Sequence, residues 1–293
     1  MVAWHGPVEE LFVHPLVIHP RLAFTSDTLG KGFQDYFVTA LEFQRILDQL
    51  WRKGWTLVDI HDAANGTVRV PEGRRPIVLE EDDVNYYRYF QGRGLARRLV
   101  LSGDQALAEL PNGTLSDQDF VPMIEAEIVK HPSFSANGAK GVLGLTGYEG
   151  FLGEHHAKRP AAQKRLRALV DWLTDHGWTI ASHSWGHINF STNSASSIAW
   201  DTAQWKSIAN PIGLHTDILI YPFGARPTDA VVRQLVRAGF TIQQDIDDVA
   251  RTVHMDGATI MSRRHVDGYA FEVPGQQRKF YNVATVRDPE RPR

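Results

Sequence analysis

At 293 residues, with 43% apolar and 22% charged side chains, the chain has the composition of an ordinary globular protein and the length of one closed α/β barrel domain. A net charge of -3 with the signs interspersed leaves no basic stripe for nucleic acid, and no apolar run approaches the roughly 18 residues of a membrane span. The absence of cysteine excludes disulfides, thiolate nucleophiles and sulfur-ligated zinc, so a metal would have to sit among carboxylates and the thirteen histidines.

The first ten residues have neither a basic start nor a continuous apolar segment, so no signal peptide is expected here, and location stays open. Short apolar runs at 11–13, 76–79, 141–145, 217–220 and 259–261 read as strands. Between them one joint recurs: Gly54-Trp55-Thr56-Leu57, Gly177-Trp178-Thr179-Ile180 and Gly239-Phe240-Thr241-Ile242. Residues at helical spacing precede the first two, namely Phe43, Ile46, Leu47, Leu50 and Trp51, then Leu166, Leu169, Val170 and Leu173. Each joint reads as a helix closed by a glycine cap before a buried strand. Strands alternating with helices imply a parallel sheet, and seven or eight such units favour a distorted (β/α) barrel over an open sheet. No glycine-rich phosphate loop follows the first strand.

One domain is expected over 1–293. The segment 92–137 reads as an excursion between strands, with a helix over 118–130 capped by Ser116 or Asp117, and 288–293 reads as a loose tail.

In a parallel barrel, chemistry gathers where strands end. The run 76–79 is followed by four consecutive carboxylates, Glu80-Glu81-Asp82-Asp83, which repel unless paired or bound to a cation. The run 179–181 leads to His183-Ser184-Trp185-Gly186-His187, whose i, i+4 histidines can grip one ion. A histidine pair or a double aspartate alone also fits a solvated turn. Together at strand ends they make a set of two histidines and one carboxylate with positions left for water.

Asp82-Asp83, then His183-x3-His187, then Pro222-x-Gly224 resemble, in order, the first three motifs of the polysaccharide deacetylase (NodB-like, carbohydrate esterase family 4) superfamily. The resemblance covers residues 11–268. It implies a distorted barrel, a divalent metal that is commonly zinc (Zn2+), and hydrolysis of N-acetyl groups on amino sugars of a polysaccharide or oligosaccharide. By motif, Asp82 is the general base and Asp83, His183 and His187 are metal ligands. The oxyanion would be held by the metal and a backbone N–H near Phe223.

Two departures stand out. Glu80-Glu81 replaces the usual Thr-Phe, which should raise some carboxylate pKa values, and Ile220 stands where the family has an arginine that pairs with the base. Arg263 or Arg264 could substitute. The acid that protonates the leaving amine is either His14, at the end of the first strand, or His265. His265 resembles the late histidine of many family members and His14 the early histidine of the biofilm-polysaccharide branch, and the place of His14 directly after the first strand puts it ahead. Tyr148 and Glu149, after the strand 141–145, together with Pro222, Phe223 and Gly224, are candidates for contacting substrate. The lost arginine leaves a catalytically impaired, carbohydrate-binding relative as an alternative, and a small-amide hydrolase on the same fold as another. The family points to an extracellular or cell-envelope location.

Overall fold

A computed structural model describes residues 1–292. Its centre is a closed parallel barrel of seven strands: β1 (Glu9–Val13), β2 (Arg75–Glu81), β3 (Val142–Leu145), β4 (Thr179–Ser182), β5 (Ile218–Ile220), β6 (Ile242–Ile246) and β7 (Ala258–His265). Hydrogen bonding runs β6-β5-β4-β3-β2-β1-β7 and returns from β7 to β6, which closes the ring. The run at 55–57 is not a barrel strand. It pairs with the lower half of β2, on the side where β3 takes the upper half at Glu80 and Glu81. This sharing of one strand edge is the distortion expected of the fold.

Strand alternation sorts the side chains. On β2, Ile77 and Leu79 face outward into a core built with Phe43, Ile46, Leu47 and Leu50 of α1 (Ala40–Arg52). Val78 faces inward with Val142, Ala181, Ile218, Ile220, Ile242 and Met261, over a floor of Ile60, Ala63, Val68 and Val70. The lower barrel is therefore a packed apolar plug, and Glu80 and Asp82, two and four residues after Val78, rise above it on the same inner face. α2 (Phe120–Lys130), α3 (Pro160–Asp175), α4 (Ala195–Ala209) and α5 (Asp229–Arg237) complete the long outer helices.

The three glycine joints are as the sequence indicates: Gly54, Gly177 and Gly239 follow α1, α3 and α5 with φ of 83°, 88° and 100°. At Gly177 any side chain is doubly excluded, since a Cβ would also lie 2.2 Å from the Gly138 carbonyl oxygen. Between β6 and β7 the alternation breaks. Residues 247–257 are too few for a crossover helix and form the antiparallel strand Thr252–Met255 on β7 instead.

The excursion at 92–137 holds a three-stranded antiparallel sheet (Arg98–Ser102, Gln105–Glu109 and Leu115–Ser116) followed by α2. The helix cap is Asp119, which accepts from the Phe120 N–H at 3.0 Å, rather than Ser116 or Asp117.

The tail is not loose. Residues 288–292 are fastened to the start of α1, and Arg293 lies outside the described residues. Thr39 and Glu42 form a capping box, and the buried Glu42 carboxylate also receives Arg291 Nε and Nη2, both at 2.7 Å. Arg291 further donates to the Gln34 and Phe37 carbonyls, while the Asp288 backbone N–H donates to Glu42. Sequence composition signals a mobile end, but a buried carboxylate needing a cation decides the outcome. Replacing Arg291 by alanine strands the Glu42 charge, so Arg291→Ala should cost roughly 3–5 kcal/mol in urea unfolding. A loss below about 1 kcal/mol, the size of a surface ion pair, would mean that the tail is not anchored this way.

Candidate active site

At the C-terminal mouth of the barrel, Asp82 and Asp83 emerge side by side but point apart. Asp82 keeps the inward parity of β2, whereas Asp83 turns at φ 57°, a left-handed conformation that a non-glycine residue adopts at a cost. Space for Asp82 is made by Gly144 on β3, where a Cβ would sit 3.1 Å from Asp82 Oδ1 and 2.9 Å from Ile220 Cδ1.

Asp82 is gripped by Arg263, which donates from Nη1 to Oδ1 at 2.8 Å and from Nη2 to Oδ2 at 3.0 Å. Arg263 Nη1 also reaches Glu80 Oε2 at 3.2 Å, and the guanidinium lies 4.4 Å from the centre of the Phe12 ring. Below them Gln244 donates to both Glu10 and Glu80. Burial alone would raise the Asp82 carboxyl, but Arg263 and His183 outweigh it and bring it down to about 2. Burial pushes Glu80 up to about 7 in spite of Arg263, with Asp82 adding to the rise. Glu10 and Glu81 are raised by burial as well, Glu10 next to Glu80 and Glu81 next to Asp119. The sequence expectation that this carboxylate run raises pKa values thus holds for Glu80 and Glu81, while Asp82 goes the other way.

Asp83 accepts from the Tyr87 hydroxyl and from Thr146 Oγ1, both at 2.7 Å on Oδ1. Its Oδ2 lies 3.9 Å from His187 Nε2, and His183 Nε2 lies 3.9 Å from Asp82 Oδ2. Burial raises the Asp83 carboxyl, but His187, His183 and His14 prevail and hold it below its ordinary value. His183 Nδ1 is 3.2 Å from the Ile220 carbonyl oxygen, which can only accept, so Nδ1 carries the proton and Nε2 presents a lone pair. Burial lowers His183 to about 4, which keeps it neutral at neutral pH. Donor atoms of Asp83, His183 and His187 all lie within 4.8 Å of one another, a spacing that fits one cation.

The loop joining the two histidines is clamped by Asp201 of α4, which accepts from the Trp185 N–H at 2.8 Å and the Gly186 N–H at 2.7 Å. Ser184 and His187 have φ of 62° and 50°. Nothing in the sequence marks Asp201, a single acid within a helix. Thr146 and Tyr87 carried weak signals, one directly after a strand and the other four residues beyond Asp83.

Around the Asp83–His187 edge lies an open cleft of about 580 Å³, walled by Tyr87, Tyr89, Tyr148, Trp185 and Phe223. Tyr148 and Phe223 are in it as the sequence reading places them, and Phe223 stands 4.5 Å from the His187 ring at φ 62°. Three other candidates are not. The Glu149 carboxylate turns to the Arg88 N–H at 2.7 Å, Pro222 is buried, and Gly224 backs onto Ile246. Pro222 and Gly224 shape the turn that presents Phe223 rather than touching the cleft.

Arg264 is also displaced from its expected place. It pairs with Asp248, through both the side chain at 3.6 Å and the backbone carbonyl, and its guanidinium lies against Phe280. Alternation explains this: Arg263 shares the inward parity of Met261 on β7, which puts Arg264 outside. His14 and His265 both flank Phe12 at the mouth, with ring centres 5.9 and 6.4 Å from it. His14 Nδ1 is 3.0 Å from the Tyr36 carbonyl oxygen, and His14 is among the groups that lower the Asp82 and Asp83 carboxyls. His265 Nδ1 instead lies 3.9 Å from Asp267.

No protein-family model matches the chain, and no curated protein sequence does. Among solved structures it is similar to a Streptococcus pyogenes deacetylase, PplD, in complex with acetate, at 12% identity and a TM-score of 0.54 over 90% of this chain and 93% of that one. It is similar to a de-N-acetylase from Aggregatibacter actinomycetemcomitans at 16% identity and a TM-score of 0.54, over 90% and 96% of the two chains. IcaB from Ammonifex degensii matches at 14% identity and a TM-score of 0.52, over 91% and 94%. The chain therefore shares the distorted (β/α)-barrel fold of these proteins.

Removing the buried guanidinium leaves Glu80 and Asp82 facing each other without a counter-charge. Arg263→Met should lower stability by roughly 3–5 kcal/mol in denaturant unfolding at neutral pH, against about 1 kcal/mol or less for Arg264→Met. Equal losses in the two variants would overturn the assignment of Arg263 as the partner of Asp82.

Proposed function

We propose that the chain is a metal-dependent deacetylase that removes N-acetyl groups from the amino sugars of a polysaccharide or oligosaccharide. The observation that carries this reading is an ionised, arginine-held carboxylate, Asp82, beside a set of two histidines and one carboxylate with converging donors. Asp83, His183 and His187 would hold the cation, and zinc suits this nitrogen and oxygen donor set. A divalent ion held there lowers the pKa of a water molecule and polarises an amide carbonyl.

The chain's own residues then divide the remaining work. Asp82, kept charged by Arg263, takes a proton from the attacking water as its oxygen bonds to the acetamido carbon. Thr146 and Tyr87 fix Asp83 by occupying one of its oxygens, and the Ile220 carbonyl fixes the tautomer of His183. The exposed turn carrying the Phe223 N–H is the protein donor for the developing oxyanion. His14 gives a proton to the amine nitrogen as the C–N bond breaks, releasing acetate and a free amino sugar. Arg263 weighs against the impaired reading, because it supplies from β7 the guanidinium absent at Ile220. The open aromatic cleft favours a sugar chain over a small closed-pocket amide, since tyrosine and tryptophan faces stack on pyranose rings.

Elemental analysis should find about one divalent cation per chain, lost in His183→Ala/His187→Ala. Asp82→Asn should retain that metal while acetate release falls about 100- to 10,000-fold, and Asp83→Asn should lose metal and activity together. Equal metal loss in both aspartate variants rejects the division of roles.

For the acid, His14→Ala should lose most of kcat with metal retained, and His265→Ala should keep measurable turnover. The reversed pattern would move the acid to His265.

A further inference from the structure

The catalytic cleft does not end at Tyr148 and Trp185. Those two residues also wall a second depression, which continues past His155, His156 and Arg159. These three in turn line a third cavity of about 630 Å³, the size of an ordinary ligand site. The three hollows share these walls in sequence, from Asp83 and His187 to the start of α3.

The far cavity is basic, in a chain whose net charge is -3. Arg88, Arg97, Arg98, Arg159 and Arg165 line it. Arg97 and Arg98 share Glu109, and Arg98 and Arg165 share Glu154, so three guanidinium groups stand against two carboxylates. Those pairings brace the wall, joining the antiparallel sheet to α3. Arg88 and Arg159 are exposed and have no acidic partner among the described residues, and Lys158 in the middle depression has none either. The Glu149 carboxylate accepts from the Arg88 backbone N–H rather than pairing with a guanidinium.

The start of α3 adds to this field. Ala161 and Ala162 line the cavity, and Arg159 at the N-cap makes no side-chain cap, so the positive end of the α3 dipole lies beside it. Unpaired guanidinium groups and a helix N-terminus converging on one hollow select a negatively charged group.

We propose that this cavity binds an anionic substituent, a phosphate or a carboxylate, on the same glycan whose acetamido group is hydrolysed in the adjoining cleft. The proposal rests on the deacetylase reading for the placement of the reacting sugar. It makes the substrate an acidic polymer, read in two neighbouring hollows.

The test compares acetate release by the metal-loaded protein from three tetrasaccharides: neutral N-acetylchitotetraose, its 6-phosphate, and one in which glucuronate alternates with N-acetylglucosamine. For at least one charged substrate kcat/KM should exceed that of the neutral one about tenfold, and which one it is separates phosphate from carboxylate. The preference should shrink toward unity in Arg88→Gln/Arg159→Gln, and in the parent as salt rises to about 0.5 M. No preference in the parent, or a preference that survives in the double variant, overturns the proposal. Calorimetric binding of the two charged tetrasaccharides distinguishes the two readings if no acetate is released. Binding that is lost in the double variant keeps the anion site and rejects the deacetylase, and absence of binding rejects the site as well.

Discussion

Three carboxyl groups, those of Glu10, Glu80 and Asp82, share the water-poor upper interior of the barrel with one guanidinium, Arg263. One positive charge cannot neutralise three negative ones in such surroundings, so the group closest to it stays ionised while burial raises the other two. Asp82 receives both terminal nitrogens and falls to about 2, whereas burial keeps Glu80 at about 7 and Glu10 raised well above its ordinary value. A charged carboxylate directly above a floor of valine, isoleucine and methionine is thus a consequence of where the arginine sits. The same charge draws on His183, whose neutral state at neutral pH is set by burial.

Backbone strain surrounds this centre. Asp83, Ser184, His187 and Phe223 all have positive φ, and each such residue costs about 1–3 kcal/mol unless its surroundings impose the conformation. Here the imposing contacts can be named: Thr146 and Tyr87 on Asp83, Asp201 on the loop between the histidines, and Pro222 beneath the turn of Phe223. Strand ends deliver the residues to the mouth, and these neighbours aim them.

Much of this was legible in the sequence because it is local. The carboxylate run after 76–79, the two histidines after 179–181 and the glycine joints are short patterns whose positions follow from strand and helix periodicity. Arg263 against Arg264 was not legible from an apolar run ending at 261, because which arginine faces inward depends on the strand continuing to His265 with unbroken alternation. Glu149 failed for a related reason: a carboxylate near a rim is captured by the nearest free N–H, that of Arg88, which no spacing rule indicates. Asp201 and Arg291 act across 15 and 249 residues of sequence, on backbone N–H groups and a buried glutamate respectively, and leave no periodic trace.

The barrel mouth divides along its strand order. Asp83, His183 and His187 come from β2 and β4, while Asp82, Arg263, His14 and His265 come from β2, β1 and β7, three neighbours in the ring. The proton-handling half of the proposed site therefore straddles the seam where the chain's first barrel strand meets its last. That seam is short: β1 and β7 are in register only at Leu11 with Arg264 and at Phe12 with His265. Little sheet hydrogen bonding holds it, so other contacts must. Phe12 packs against Arg263, His14 and His265 together, and the chain end beyond β7 is tied through Arg291 to Glu42 and to the Phe37 carbonyl, next to the ring that His14 contacts.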